Sequence, residues 1–394
     1  MLGMDMLHFL VWSLFGIYIL LGAALLFGLW RSRKAVSVDG SRLFSVSIVV
    51  AARNEESHLP ALLRSFEALD YPRERLQIIL VDDRSTDRTY TIMKEWAEKH
   101  RGVHVLQVRN LDPRLNGKAN ALEAGIRRAQ GEIIFITDAD CQVPPSWIRA
   151  HLARYDSKTA MVGGFTLLDR PEAPYPLFSR LQSLDWLYLT AVGSGAAALS
   201  MPLSIFGNNW SFRKSCYMAV GGFRRLPFTL VEDLALMHQM RRHKCGRIRL
   251  CPDRGMLVIS RAAADWSAFL HQRRRWIAGA KQLEWYGIGI MFIGGLGRLV
   301  PWGLIALSHF AEGSLMLGLI FILDGLLAFF PSIWLQRRDL LRYLPVYPLF
   351  ILAYGLRLLP HLFFRTPVEW KGRKYAGGVL KTEGGERQSE RISR

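Results

Sequence analysis

The chain lacks a cysteine framework, a glycine-rich phosphate loop and enough acids to balance its bases, and each lack removes a class of function. Its four cysteines, Cys141, Cys216, Cys245 and Cys251, form no C-x-x-C pair. Cys245 and Cys251 stand too far apart for a usual zinc knuckle and have no matching pair, so reduced thiols are expected rather than disulfides. The first strand-like apolar run leads into A-A-R-N-E-E (51–56) and not into G-x-G-x-x-G or a Walker sequence. That argues against a Rossmann dehydrogenase or a Walker ATPase, and a nucleotidyltransferase would also usually open on a Gly-rich loop. Acids number 33 against 51 Lys and Arg, a net charge of +18. Helix-turn-helix, RNP and zinc-finger signatures are missing, so the basic excess is not read as a nucleic-acid footprint. The middle of the chain also lacks long apolar runs; these gather at residues 7–30 and again after about residue 286. Membrane proteins collect Lys and Arg on their cytoplasmic side, and Arg31, Arg33 and Lys34 directly follow the first apolar block.

Residues 9–30 carry no charge and would make roughly 33 Å of helix against a ~30 Å hydrocarbon core. A secretory signal would carry its positive charge before the apolar stretch, whereas here it follows. Residues 1–34 therefore read as an anchor whose C-terminal end lies in the cytoplasm. Three further apolar spans fall at about 288–308, 314–335 and 343–364. Arg298, Asp324 and Arg357 interrupt them, each costing roughly 2.5–3.5 kcal/mol if central. Arg337, Arg338 and Arg342 mark the loop after the second span as cytoplasmic. Three full crossings would put residues 370–374 outside, and a re-entrant or interfacial third segment would keep them inside. The expected layout is an anchor at 1–34, an α/β domain at 44–285, membrane helices at 286–366 and a cytosolic tail at 367–394, with 381–394 disordered. The expected location is a multi-pass position in the plasma membrane with the α/β domain facing the cytoplasm.

Between the apolar regions the pattern alternates strand and helix. Strands are predicted at 46–50, 76–81, 103–108 and 133–136, with amphipathic helices between them, which calls for a mostly parallel sheet. The fourth run, wholly apolar, ends in T-D-A-D (137–140). Open α/β sheets bind ligands beyond the carboxyl ends of their strands, so Asp138 and Asp140 are delivered to a candidate site edge. Two carboxylates this close repel unless a proton or a cation intervenes. A hard divalent ion shared with a substrate phosphate resolves the repulsion, although an isolated D-x-D is commonly just a polar turn. Asp82-Asp83 ends the second strand, and Asn116-Gly117-Lys118 opens a helix expected to stop at Gly131. Gly193 to Ala198 reads as a small, flexible stretch near the membrane.

In order, V-V-A-A-R-N-E-E (49–56), I-I-L-V-D-D-R-S-T-D (78–87), N-G-K-A-N-A-L (116–122), T-D-A-D, F-G-N-N (206–209), V-E-D-L (231–234) and Q-R-R-R-W (272–276) resemble the inverting nucleotide-sugar glycosyltransferases of family 2. The resemblance covers about residues 44–285 and implies an α/β fold of GT-A type, with Mg²⁺ or Mn²⁺ as cofactor. By position it assigns Asp233 as general base. It assigns Glu55, Asp82, Asp83, Lys118, Asp138, Asp140, Gln272, Arg275 and Trp276 to the donor, with Asp138 and Asp140 as metal ligands. Ala51 departs from a first motif that often has proline, at a loop acting through its backbone. Other readings stay open beside these. Lys118 could be a solvated lysine, Glu232-Asp233 first-turn acids favouring a helix dipole, Arg273 and Arg274 a lipid-facing surface, and Trp276 an interfacial anchor.

The tail P-V-E-W-K-G-R-K-Y (367–375) resembles the end of ceramide-glucosyltransferase-like enzymes and implies a lipid acceptor in the membrane. Q-R-R-R-W also occurs in processive synthases of β-linked polysaccharides, which thread polymer through several membrane helices. Few such helices are present, which favours one hexose, from UDP-glucose or a similar donor, on one lipid. A non-catalytic membrane scaffold is the remote alternative, opposed by the intact motifs.

Overall fold

The computed structural model describes residues 2–34, 43–169, 176–280, 282–363, 368–370, 373–376 and 379–381. The elements in order are α1 (Leu2–Ser32), β1 (Val46–Ala52), α2 (Leu59–Glu67), β2 (Leu76–Asp82), α3 (Thr89–Lys99), β3 (Val103–Gln107), α4 (Gly117–Arg128) and β4 (Ile133–Thr137). There follow α5 (Trp147–Leu152), β5 (Thr159–Gly164), β6 (Thr166–Asp169), α6 (Pro176–Ala198), β7 (Asn209–Arg213), α7 (Lys214–Ala219), α8 (Glu232–Arg242), β8 (Arg247–Cys251) and β9 (Val258–Arg261). The chain continues through α9 (Trp266–Ala280), α10 (Trp285–Ala306), α11 (Phe310–Trp334) and α12 (Tyr347–Phe363). It closes on β10 (Val368–Trp370), β11 (Arg373–Ala376) and β12 (Val379–Lys381).

The main sheet has the order β3-β2-β1-β4-β7-β5-β8. β1 to β4 are mutually parallel, and β7 runs antiparallel between β4 and β5. Apolar residues fill both faces, as a parallel sheet covered by helices requires. Ile48, Val50, Ile78, Leu80 and Phe135 face α2 and Trp147, while Val49, Ile79, Val81, Ile134 and Ile136 face α4 and α8. The four predicted strands are present, each displaced by no more than two residues at its end.

Two expectations are corrected. α4 ends at Arg128, and Gly131 is not its cap. A β-carbon on Gly131 would lie 2.3 Å from Ser47 N, so this glycine serves the close approach of the β4 lead-in to β1. Gly193 to Ala198 is not a flexible stretch but the end of α6, packed against α1. A β-carbon on Gly28 would meet Gly195 O at 2.2 Å, and one on Gly195 would meet Leu25 O at 2.3 Å. Small residues let two helix backbones touch in this way.

α1, α10 and α11 are long and apolar enough to cross a membrane. α12 has 17 residues, roughly 26 Å of helix and short of a ~30 Å core. It packs on α9 and α6, beside the α/β domain. Of the three charges interrupting the apolar spans, Arg298 and Asp324 pair with each other. Arg298 Nη2 lies 2.7 Å from Asp324 Oδ2, and the hydroxyls of Tyr18 and Tyr188 each donate to Asp324 Oδ1 at 3.1 Å. Residues 382–394 and the side chains of Trp370 and Arg373 lie outside the described residues.

Candidate active site

The carboxyl ends of β1, β2 and β4 open on one cavity of about 900 Å³. Its inner wall carries Glu55, Asp83, Lys118, Asp138, Asp140 and Asp233. From there it runs outward past α9 to apolar side chains of α10, α11 and α12, among them Ile290, Leu317, Leu352 and Leu356. One continuous space thus joins a carboxylate cluster to the apolar flank of α10, α11 and α12.

Asp138 and Asp140 stand just beyond β4. Burial and the neighbouring charges of Asp138 and Glu55 push the Asp140 carboxyl up to about 6. Crowded, desolvated carboxylates of this kind fit a divalent cation, whose charge relieves what drives the shift. Lys118 Nζ touches Asp138 Oδ1 and lies 3.4 Å from Glu232 Oε1. Burial works against the lysine charge, but Asp138 and Glu232 outweigh it and hold the ammonium above the ordinary range. Lys118 is therefore held in the site and is not a solvated helix-start lysine. Asn116 builds this corner: it caps α4 by accepting from Ala119 N at 2.9 Å and donates to Thr229 O at 2.9 Å and Glu232 Oε2 at 3.3 Å.

Asp233 opens α8 with its carboxylate against Gly207, and Oδ1 accepts from Leu234 N at 2.8 Å. Burial and the Glu232 charge push it up to about 7, against Lys118 and Arg275. A carboxyl poised there can exchange a proton near neutral pH. The neighbouring Asn209 is structural. It accepts from Trp147 Nε1 at 2.8 Å and donates to Phe165 O at 2.7 Å and Met256 O at 2.8 Å, fixing the loop that presents Gly207.

The sequence-assigned acids of β2 separate. Asp83 lines the cavity, whereas Asp82 is fully buried and accepts from Ser85 N at 3.2 Å and Gln107 Nε2 at 3.3 Å. On α9, Gln272, Arg275 and Trp276 all line the cavity, and Gln272 Oε1 is buried with no hydrogen-bond partner among the described residues. Arg273, open to a lipid-facing reading from sequence, is buried instead. Its guanidinium pairs with Asp185 of α6 and lies 4.2 Å from the centre of the Trp276 ring. Asp185, wholly buried, also accepts from Tyr347 at 3.0 Å and Tyr354 at 2.9 Å on α12. Asp185 was missed because it lies in a stretch of mixed pattern. A lone acid inside an apolar helical face is the signal that could have found it.

Fold and site together define a GT-A-type sheet with a carboxylate-lined pocket at its carboxyl edge. The model of glycosyl transferase family group 2 matches residues 133–359, more than half the chain, and that of glycosyl transferase family 2 matches residues 47–198. The chain belongs to glycosyltransferase family 2. A beta-monoglucosyldiacylglycerol synthase of Synechocystis is 28% identical over 306 residues, 70% of this chain and 58% of that protein. A probable glycosyltransferase, YdaM, of Bacillus subtilis is 26% identical over 238 residues, 59% of this chain and 54% of that one. The chain thus spans little more than half the length of these relatives. Among solved structures, the mannosyltransferase PcManGT from Pyrobaculum calidifontis, in complex with GDP-Man and Mn²⁺, superposes with a TM-score of 0.53 at 22% identity. The match covers 85% of this chain and 99% of that one, and it shows a shared fold.

Proposed function

We propose that the protein transfers a hexose from a nucleotide-diphosphate sugar, UDP-glucose or a similar donor, to the hydroxyl of a membrane lipid, with inversion at the anomeric carbon. The observation that carries this reading is the continuous cavity from the carboxylate cluster to the apolar flank of α10, α11 and α12. A lipid can enter laterally from the bilayer and bring its headgroup to Asp233, while a soluble acceptor has no need of an apolar approach. The relative named as a glucosyldiacylglycerol synthase supports the same class of acceptor.

Asp138 and Asp140 would hold Mg²⁺ or Mn²⁺, which supplies positive charge opposite the departing diphosphate. Glu55 and Asp83 line the donor end, and Lys118 and Arg275 add fixed positive charge where the leaving group becomes anionic. Asp233 takes the proton of the acceptor hydroxyl as its oxygen attacks the anomeric carbon from the face opposite the diphosphate. Gln272 and Trp276 close the cavity wall between donor and acceptor. The anchor at 1–34, the catalytic domain at 44–285 and the membrane helices at 286–366 form the working layout. The charged residues after α1 support a cytoplasmic position for the catalytic domain. With α10 and α11 as a hairpin and α12 at the interface, the tail from residue 367 returns to that same side.

The test is incubation of purified protein in bilayers with a panel of UDP- and GDP-sugars and a native lipid extract, with products identified by mass. A glycolipid of one or two sugars is expected. Long polysaccharide made without added lipid would overturn the reading in favour of a polymer synthase.

A further inference from the structure

We propose that His8, His309 and Glu312 form a Zn²⁺ site at the end of the helix bundle remote from the α/β domain. His8 lies near the start of α1, and His309 and Glu312 sit one turn apart where α10 hands over to α11. One ligand atom from each lies within 4.8 Å of the other two. His8 Nε2 is 3.7 Å and His309 Nδ1 is 3.9 Å from Glu312 Oε1. Both separations exceed hydrogen-bonding distance, so the two imidazoles converge on the carboxylate oxygen without bonding it. They are close to the roughly 3.4 Å edge of a tetrahedron built on 2.0–2.1 Å bonds to a central ion.

The surroundings fit a site better than a chance meeting of surface groups. The two imidazoles meet edge to face, centroids 5.0 Å apart at 72°. Glu312 Oε2 is buried and has no hydrogen-bond partner among the described residues. The turn carrying His309 is shaped by Ser308 at φ +68° and by the bond from His309 N to Leu304 O at 2.8 Å. Gly313 closes the hairpin, since a β-carbon there would meet Pro301 O at 2.7 Å. Two imidazole nitrogens and one carboxylate oxygen suit a borderline ion such as Zn²⁺, whereas Mg²⁺ and Ca²⁺ favour all-oxygen shells. Side-chain exposures of 32% to 40% leave room for a water as fourth ligand. The site is separate from Asp138 and Asp140: from His8 to Leu29, which packs against Leu250 of β8, α1 rises about 30 Å. A bound ion would tie the start of α1 to the α10–α11 hairpin.

The experiment uses the full chain without a polyhistidine tag, reconstituted in nanodiscs, stripped with chelator and titrated with Zn²⁺ by calorimetry, with bound metal counted by mass spectrometry. Asp140→Asn supplies a background in which the carboxylate pair near β4 is weakened. One zinc should bind in that background and vanish on adding His8→Ala, and again on adding His309→Gln. Zinc should raise the thermal midpoint of the parent but not of these variants, and His8→Ala alone should keep sugar transfer within about twofold. Zinc stoichiometry unchanged by both histidine substitutions would overturn the proposal. So would the absence of zinc binding in Asp140→Asn protein that retains its helical circular dichroism.

Discussion

Gly207 faces Asp233 so closely that a β-carbon on the glycine would come within 2.7 Å of Oδ2. The loop between α6 and β7 and the start of α8 are thereby locked around one carboxylate. Gly207→Ala should push that carboxylate aside and leave the fold intact, because the far end of a side chain can yield where backbone cannot. A misplacement of this order should lower kcat by about 10²-fold. Activity near the parent's, with an unchanged thermal midpoint, would show that the contact does not position Asp233.

Asp233→Asn should cut transfer by roughly 10²–10⁴-fold while leaving affinity for the donor near the parent's. Equal loss of donor binding, read by calorimetry, would assign the residue to the donor site instead. Burial and Glu232 push Asp233 up to about 7, and a base works only when ionised. The rate should therefore climb with pH through about 7 and level off above it. For stability the sign is opposite. A folded-state pKa above the unfolded value favours the protonated folded state, so this group's contribution is fully present below about pH 4 and lost as pH rises through about 7. A flat rate profile across that range would remove Asp233 from the proton transfer.

Lys118 acts as a built-in cation against Asp138 and Glu232. Lys118→Ala should therefore bind Mn²⁺ more tightly, since the metal no longer competes with an ammonium, and yet lower kcat/KM by roughly 10²–10³-fold. Paramagnetic titration of Mn²⁺ beside steady-state kinetics checks both signs. Weaker Mn²⁺ binding in the variant would contradict the competition.

Asp185→Asn should destabilise the protein by about 3–5 kcal/mol, because it leaves the Arg273 guanidinium buried without a counter-charge. The double variant Asp185→Leu with Arg273→Leu should recover part of that loss, since removing a whole buried pair costs less than breaking it. Chemical unfolding in detergent micelles measures both. A neutral Asp185→Asn would mean that the tyrosines of α12, and not the ion pair, hold α9 in place.

Gly295 of α10 lines the cavity, and a β-carbon added there meets nothing within 4 Å. Gly295→Phe should project a ring into the passage, slow transfer to lipid and spare hydrolysis of the donor by water. Equal loss of both activities would place the acceptor elsewhere.

Several parts of this arrangement are local and were legible in the sequence. A run such as I-I-F-I is buried on both faces wherever it sits in a parallel sheet, and acids directly after it must appear at the carboxyl edge. Asn116 before Gly117 caps a helix through its own side chain, so the start of α4 needed no distant partner. The uncharged length of α1 likewise set its capacity to cross a membrane.

Other features depend on what arrives from far along the chain. Composition alone made Arg298 and Asp324 liabilities, yet across 26 residues they become one neutral pair capped by two tyrosines. Arg273 and Asp185, 88 residues apart, exchange a lipid-facing reading for a buried one. Asp82 and Asp83 look alike in sequence, but alternating strand geometry turns one into the turn and the other toward the cavity. A charge in a sequence carries no information about its counter-charge, and for a buried ion the counter-charge decides the energy. That is why periodicity and motif order could determine the sheet, its carboxyl edge and the long apolar helix α1, while the pairing of buried charges, and with it the position of α9 and α12 over the cavity, was decided by the tertiary structure.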